Sequence, residues 1–97
     1  MIPKNRLATH PGTILLKEYL DPMGLSQIQL ADHLGIPVQR VNEIVKGKRG
    51  ISPDTARLFS EAFNTSPQFW LNLQIAYDLC AHRPKKHVSA QKSTVQT

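Results

Sequence analysis

The polar side chains between residues 38 and 46 are of the types that hydrogen-bond to the edges of nucleic-acid bases. Arg40 can donate two parallel bonds to guanine, and Gln39 or Asn42 can pair with adenine. Apolar residues recur among them at helical spacing, at Val41, Ile44 and Val45. The polar groups, with Glu43 among them, should therefore project from the opposite side of a short helix.

Other chemistry has little support in the sequence. The 4 histidines do not stand at metal-ligand spacing with cysteine or carboxylate clusters. Glycine-rich phosphate loops, nucleophile elbows and HExxH-like runs are also missing. Asp32 and Glu43 have the chemistry of an acid and base pair, but nothing in the sequence predicts a pocket around them. We therefore expect no enzymatic activity, no metal and no cofactor.

The polar run must be positioned by a tight pair of helices, and residues 26–46 have the pattern of one. Ser26 is a good N-cap for the first helix, and Gly35 suits the left-handed turn that ends it. Ala31 provides the small residue needed where two helices cross steeply. This is a helix-turn-helix pattern, whose second helix can lie in the major groove of DNA. An ordinary helical hairpin within a bundle has a similar apolar pattern and remains the alternative.

Length and charge agree with a small domain that binds a polyanion. The chain has 97 residues, 40% of them hydrophobic, which suffices for one modest core. Its net charge is +5 and its pI about 9.7. A single cysteine excludes an internal disulfide framework, and no apolar stretch is long enough to cross a membrane. The N-terminus lacks the apolar core of a signal peptide, so we expect a cytoplasmic, nucleoid-associated protein.

The segments around the motif extend this interpretation. We expect residues 1–10 to form a flexible arm, whose cations either touch phosphates or stay solvated. A first helix is predicted at about 13–20, ended by Asp21 and Pro22. The glycine-hinged loop at 46–50 is basic and favours contact with the DNA backbone, although solvated loop charge is the alternative. We expect the folded domain to span 11–82 and the basic tail at 83–97 to be disordered.

Two later helices, at about 53–63 and 67–81, each open with Ser-Pro, a capping serine followed by proline at the first helical position. The last of them has two apolar arcs. One contains Phe69, Trp70, Leu73, Ala76, Tyr77 and Cys80, and the other Leu71, Ile75 and Leu79. So small a domain can cover one arc, and the other favours self-association unless it packs under the first helix. Because the sequence leaves open which arc meets the partner, our predicted dimer contact comprises Trp70, Leu71, Ile75 and Leu79.

Several segments together resemble the Xre, or lambda-repressor-like, helix-turn-helix family, and more closely its HigA/VapI antitoxin branch. They are His10-Pro-Gly, Gly24-Leu-Ser-Gln, Leu30-Ala, Val41-Asn-Glu-Ile, Gly47-Lys-Arg-Gly-Ile-Ser, Ser66-Pro-Gln-Phe-Trp-Leu-Asn-Leu-Gln and Tyr77-Asp-Leu. The first half is shared by many regulators, whereas the segment from Ser66 to Gln74 is particular to this branch. The resemblance implies an all-α, five-helix lambda-repressor-like fold.

The resemblance also implies a homodimeric antitoxin that binds double-stranded operator DNA, represses its own operon and neutralises a RelE-like toxin, an mRNA endonuclease. By position, the base-reading residues would be Val38, Gln39, Arg40, Asn42 and Glu43. The DNA backbone would be met by Gln27, Lys46, Lys48 and Arg49, with Gln27 either touching phosphate or bracing the recognition helix. Pro37 and Val38 depart from the family pattern: Pro37 removes a side-chain cap, and Val38 offers apolar contact, as to a thymine methyl group. A stand-alone Xre-type repressor without a toxin is the alternative.

Overall fold

The computed structural model describes residues 8–82 together with residues 90 and 91, and over that part of the chain all regular structure is helical. Helix α1 runs through residues 11–23 as three consecutive segments, Pro11–Ile14, Leu15–Leu20 and Asp21–Met23. It is followed by α2 (Gln27–Leu34), α3 (Val38–Val45), α4 (Pro53–Phe63) and α5 (Pro67–Ala81). The predicted all-α, five-helix architecture is confirmed.

The three predicted serine caps are present. Ser26, Ser52 and Ser66 accept bonds from backbone N–H groups three residues on, at 3.0, 3.3 and 3.1 Å. At the start of α2 the Gln29 side chain returns a 2.9 Å bond to the Ser26 N–H, which completes a capping box. Gly35 ends α2 with φ of 71°, as the turn requires. Both boundaries of the motif's first helix are therefore fixed by local chemistry.

Helix α1 is longer than predicted, and the expected break at Asp21 and Pro22 is wrong. Its central segment, Leu15–Leu20, is a π-helix, and the Asp21 N–H donates to the carbonyl of Leu16, five residues earlier. The wider turn before Pro22 relieves the clash that a proline ring makes in an α-helix, and the N–H that proline lacks is not needed there. The helix instead ends at Gly24, which adopts the left-handed conformation with φ of 61°.

The core lies where all five helices meet. Its buried members are Leu15, Leu20, Leu30, Ala31, Val41, Ile44, Ile51, Ala56, Phe59 and Trp70. Ala31 is buried where α2 and α3 pack, as predicted for the small residue at the crossing. Gly12 places the start of α1 directly against the end of α3, because a Cβ at residue 12 would overlap the carbonyl oxygen of Ile44. Helix α3 is thus backed by both α1 and α2.

Trp70 belongs to this core, so its predicted role in a dimer contact is wrong. Its side chain is 0% exposed, and its ring centroid lies 5.1 Å from that of Phe59 and 5.4 Å from that of Tyr19. The indole N–H donates a 2.8 Å bond to the Thr65 hydroxyl. With its ring packed and its polar atom satisfied inside one protomer, Trp70 cannot reach a second one.

Most of the predicted arm at 1–10 and tail at 83–97 lies outside the described residues, and both remain predictions. His10 is described and does not behave as part of a free arm. Its Nδ1 accepts a 2.9 Å bond from the Gly12 N–H and caps α1. Within 8–82, no helix has the length and apolar content needed to cross a membrane.

Candidate nucleic-acid interface

Helix α3 begins directly after Pro37, which occupies the N-cap position with φ of −63° and ψ of 140°. Proline has no side-chain acceptor, and the helix accordingly starts without a side-chain cap. The first backbone bond runs from the Arg40 N–H to the Pro37 carbonyl at 3.0 Å. Val41 and Ile44 are fully buried and fix the rotation of the helix about its axis. The opposite face is consequently turned away from the core.

The structure places the predicted base-reading residues along that outward face and its flanks. Val38 and Gln39 are exposed, and Arg40, Asn42 and Glu43 are half-buried. None of these five residues is buried by the part of the chain that the structure describes. The face therefore stays open to a macromolecule that approaches α3 from outside.

Asn42 ties the recognition helix to the start of α2. Its Nδ2 donates a 3.1 Å bond to Oε1 of Gln27, across 15 residues of sequence. Of the two roles predicted for Gln27, the bracing role is the one with a contact in the structure. The bond uses one N–H of Asn42 and leaves its carbonyl oxygen and second N–H for another partner.

Glu43 joins the recognition helix to the basic loop. Its Oε1 forms an ion pair with Nε of Arg49, at a distance of 2.8 Å, and its Oε2 lies 3.5 Å from Nε2 of Gln39. The Glu43 backbone carbonyl also accepts from the N–H groups of Lys48 and Arg49, at 2.8 and 3.2 Å. Arg49, predicted to meet the DNA backbone, is therefore engaged with a predicted base-reading residue. Lys48 has an exposed side chain beside this pair.

The other end of the basic loop is held by Gln74 of α5, a residue that the sequence analysis did not assign to the site. Its Oε1 accepts a 2.7 Å bond from the Ile51 N–H, and its Nε2 donates to Asp78 at 2.9 Å. The loop turns at Gly47, which has φ of 77°. The sequence carried no signal for this contact, because Gln74 and Ile51 are 23 residues apart and meet only in the folded chain.

His10 is a second unassigned residue near the loop. Its ring lies edge-on to Tyr77 of α5, with centroids 4.7 Å apart. Burial lowers the pKa of His10 below its ordinary value of 6.5, and the carboxylate of Asp78 opposes this by raising it. The described residues contain no group of three or more histidine, cysteine or acidic side chains arranged to hold a metal ion.

The outer side of α5 carries the second apolar arc. Ile75 is 53% exposed and Leu79 is 72% exposed, whereas Leu71 is half-buried at the edge of the core. In so small a protein, such side chains on one helix face form a surface that another molecule can cover.

Comparison with known proteins assigns the family. Residues 16–70 match the family model described as helix-turn-helix. The chain belongs to this helix-turn-helix family. The virulence-associated protein I of Dichelobacter nodosus is 52% identical over 77 residues, which cover 78% of the chain and 71% of that protein.

Solved structures of helix-turn-helix relatives agree in fold. An addiction-module antidote protein of the HigA family from Coxiella burnetii has a TM-score of 0.74 at 46% identity, covering 78% of this chain and 83% of that one. PA4674 from Pseudomonas aeruginosa, in complex with its 18-bp operator DNA, has a TM-score of 0.75 at 43% identity, covering 78% and 81%. The resemblance to Xre-type regulators and HigA antitoxins is confirmed. Because this family comprises DNA-binding regulators and antitoxins, the expectation that the protein is not an enzyme is also confirmed.

Proposed function

We propose that the protein is a sequence-specific DNA-binding antitoxin that represses its own operon. The observation that carries this proposal is the outward polar face of α3, braced through the bond between Asn42 and Gln27 and flanked by a basic loop. Rigid support matters because a base-reading side chain loses less conformational entropy on binding when its helix is already fixed. The structure of a relative that is 43% identical in sequence is a complex with its operator DNA, which supports operator binding by this protein.

The individual roles follow from side-chain chemistry. Arg40 would donate two bonds to a guanine, Gln39 or Asn42 would pair with adenine, and Val38 would contact a thymine methyl group. Lys46 and Lys48 would neutralise phosphates, which adds affinity without reading sequence.

The DNA-binding unit in this proposal is a homodimer formed through the outer face of α5. The exposed side chains of Ile75 and Leu79, with Leu71 beside them, would pack against the same residues of a second copy. Two recognition helices related by a two-fold axis can then meet two half-sites about 34 Å apart, one turn of the double helix. Operators bound by this protein should accordingly be imperfect palindromes.

The test of DNA binding is a fluorescence-anisotropy titration of the purified protein against the DNA upstream of its own gene. A shuffled duplex of the same length and base composition is the control, and both are measured at several salt concentrations. We expect the upstream DNA to bind at least about 1,000-fold more tightly than the shuffled DNA. Equal affinity for the two duplexes would exclude the repressor proposal.

We further propose that the protein neutralises a RelE-like toxin, an mRNA endonuclease. Similarity to an antidote protein of the HigA family supports this role. The test is co-expression with the product of the adjacent reading frame, followed by co-purification and a ribosome-dependent mRNA cleavage assay. We expect a stable complex whose cleavage activity is suppressed. Operator binding without any such complex would favour the alternative, a stand-alone Xre-type repressor.

A further inference from the structure

The outward face of α3 contains a carboxylate where a polyanion is proposed to bind. Glu43 lies one residue before buried Ile44 and four residues after exposed Gln39, on the side of α3 away from the core. An uncompensated carboxylate there would repel DNA phosphates. A glutamate on this face is compatible with DNA binding only if a cation neutralises it or a DNA base donates a hydrogen bond to it.

Arg49 is that neutralising partner. Its Nε donates to Oε1 of Glu43 at 2.8 Å, and its own backbone N–H bonds to the Glu43 carbonyl at 3.2 Å. The backbone bond holds Arg49 next to Glu43 even when its side chain moves. On the other side, Gln39 lies 3.5 Å from Oε2. The carboxylate is thus approached from both sides by donors that belong to the protein.

The pair remains accessible from outside. The Glu43 side chain is 29% exposed and that of Arg49 is 51% exposed. Together with Pro37, Gln39 and Arg40, they line a polar concavity of about 200 Å³. Each carboxylate oxygen has two lone pairs, so each keeps one free after the contacts with Arg49 and Gln39.

A carboxylate held this way selects among bases, because it can only accept hydrogen bonds. Cytosine presents an N4 amino donor in the major groove, whereas guanine presents two acceptors and thymine one acceptor and a methyl group. Adenine offers an amino donor beside an acceptor, which suits an amide better than a carboxylate. Cytosine is therefore the base that Glu43 fits.

We propose that Arg49 is a positioning residue that neutralises and orients Glu43, and that Glu43 selects a cytosine at one position of each operator half-site. Arg49 therefore acts through Glu43 rather than as a phosphate contact. This inference rests on the proposed binding of operator DNA.

The test is a double-mutant cycle on operator binding. Arg49→Ala and Glu43→Gln are made singly and together, and Lys48→Ala, from the same loop, is made in both Glu43 backgrounds as the matched control. Each protein is titrated against operator duplexes in which every half-site position carries each base pair in turn. Affinities for the preferred duplex are also measured across salt.

We expect Glu43→Gln to abolish a preference of roughly 5- to 100-fold for cytosine at one position and to leave other positions unchanged. Arg49→Ala should weaken the same preference with Glu43 present, but change affinity by less than about 2-fold when Gln stands at 43. In the Glu43→Gln background, Arg49→Ala should leave the salt slope unchanged, whereas Lys48→Ala should lower the slope by about one in both backgrounds. Arg49→Lys should restore part of the cytosine preference, since a lysine can also pair with the carboxylate.

An equal loss from Arg49→Ala in both Glu43 backgrounds, with a salt slope lowered by about one, would overturn the inference and make Arg49 a phosphate contact. A base preference unchanged by Glu43→Gln would overturn the assignment of cytosine. Both of these results presuppose a wild type that prefers its operator. If the proposed function itself fails, the wild type shows no such preference, so the two kinds of failure can be told apart. Residues 43 and 49 are outside the buried core, and thermal unfolding of each variant should stay close to that of the wild type.

Discussion

The side-chain oxygen of Gln74 accepts a 2.7 Å hydrogen bond from the backbone N–H of Ile51, which joins α5 to the end of the basic loop. The Gln74 side chain also packs closely against Gly50, since a Cβ at residue 50 would lie only 2.9 Å from the same Gln74 oxygen. The helix that we propose to form the dimer thereby also positions the loop that follows the recognition helix. In the proposed dimer, α5 would therefore set both the geometry of the contact and the position of the loop.

Gln74→Ala should lower both stability and DNA affinity. The change leaves the Ile51 N–H without its partner, which costs about 1 to 3 kcal/mol of unfolding free energy, and it frees the loop that carries Lys48. Urea denaturation and operator titration measure the two effects. Gln68→Ala is the matched control, because Gln68 is an exposed glutamine of the same helix bonded to Asn72. Similar losses for the two variants would show that the Ile51 contact has no special role.

Gly12→Ala should destabilise the fold through a backbone clash. The added methyl group would overlap the Ile44 carbonyl oxygen, and since both partners are backbone neither can rotate away. We expect a loss at the upper end of about 1 to 3 kcal/mol, measured by thermal or urea unfolding. Gly24→Ala separates this effect from conformational strain, because Gly24 has φ of 61° but no atom within 4 Å of its would-be Cβ. Its loss should be smaller, about 1 to 2 kcal/mol.

His10 should make stability depend on pH in the acid range. Neutral Nδ1 accepts the Gly12 N–H, a bond that protonation removes, and burial holds the pKa below its ordinary value of 6.5. With the folded-state pKa lowered, the unfolded chain binds the proton more readily below pH 6.5. Unfolding free energy should therefore be independent of this group above that pH and fall as pH decreases through the folded-state pKa.

Denaturation curves recorded from about pH 8 to pH 5 give the free energy of unfolding across the range in which histidines titrate. His10→Asn, which keeps a capping acceptor but does not titrate, should show a shallower decline than the wild type. His33→Asn, at an exposed histidine of α2, should keep the wild-type slope. The same slope in all three proteins would contradict the role given to His10.

Ile75→Glu and Leu79→Glu should dissociate the proposed homodimer. Each places a charge in a contact that dimerisation would desolvate, at a cost of several kcal/mol. Sedimentation equilibrium should give the mass of a monomer for both variants and of a dimer for the wild type. Ile28→Glu, at a 70% exposed isoleucine of α2, should leave the dimer intact. An unchanged mass for the α5 variants would remove this face from the dimer.

Local signals made most of the fold predictable from sequence. The capping serines and the turn at Gly35 depend on chemistry within a few residues, and the structure has them where the sequence placed them. The continuation of α1 through Pro22 was not predictable, because it depends on a π turn that no local pattern indicates. Trp70 was assigned to a dimer contact because helical periodicity shows two apolar arcs without showing which one is inside. The partners that decide this, Phe59 and Thr65, come from outside the helix.

For the candidate site, the sequence predicted which residues face outward but not which of them contact one another. Apolar spacing placed Gln39, Arg40, Asn42 and Glu43 outside the core, which agrees with the structure. The pairing of Glu43 with Arg49 depends on the path of the loop through Gly47, a tertiary feature. The bond from Ile51 to Gln74 spans 23 residues and has no sequence signature of its own.

The central claim is that α3 reads bases while the lysines of the loop contribute affinity without sequence preference. The most direct measurement compares Arg40→Ala with Lys48→Ala in operator titrations across base substitutions and salt. We predict that Arg40→Ala relaxes preference at one position by about 1 to 3 kcal/mol, whereas Lys48→Ala weakens binding to every duplex and lowers the salt slope by about one. Two variants with the same profile, or a wild type that binds operator and shuffled DNA alike, would contradict the account.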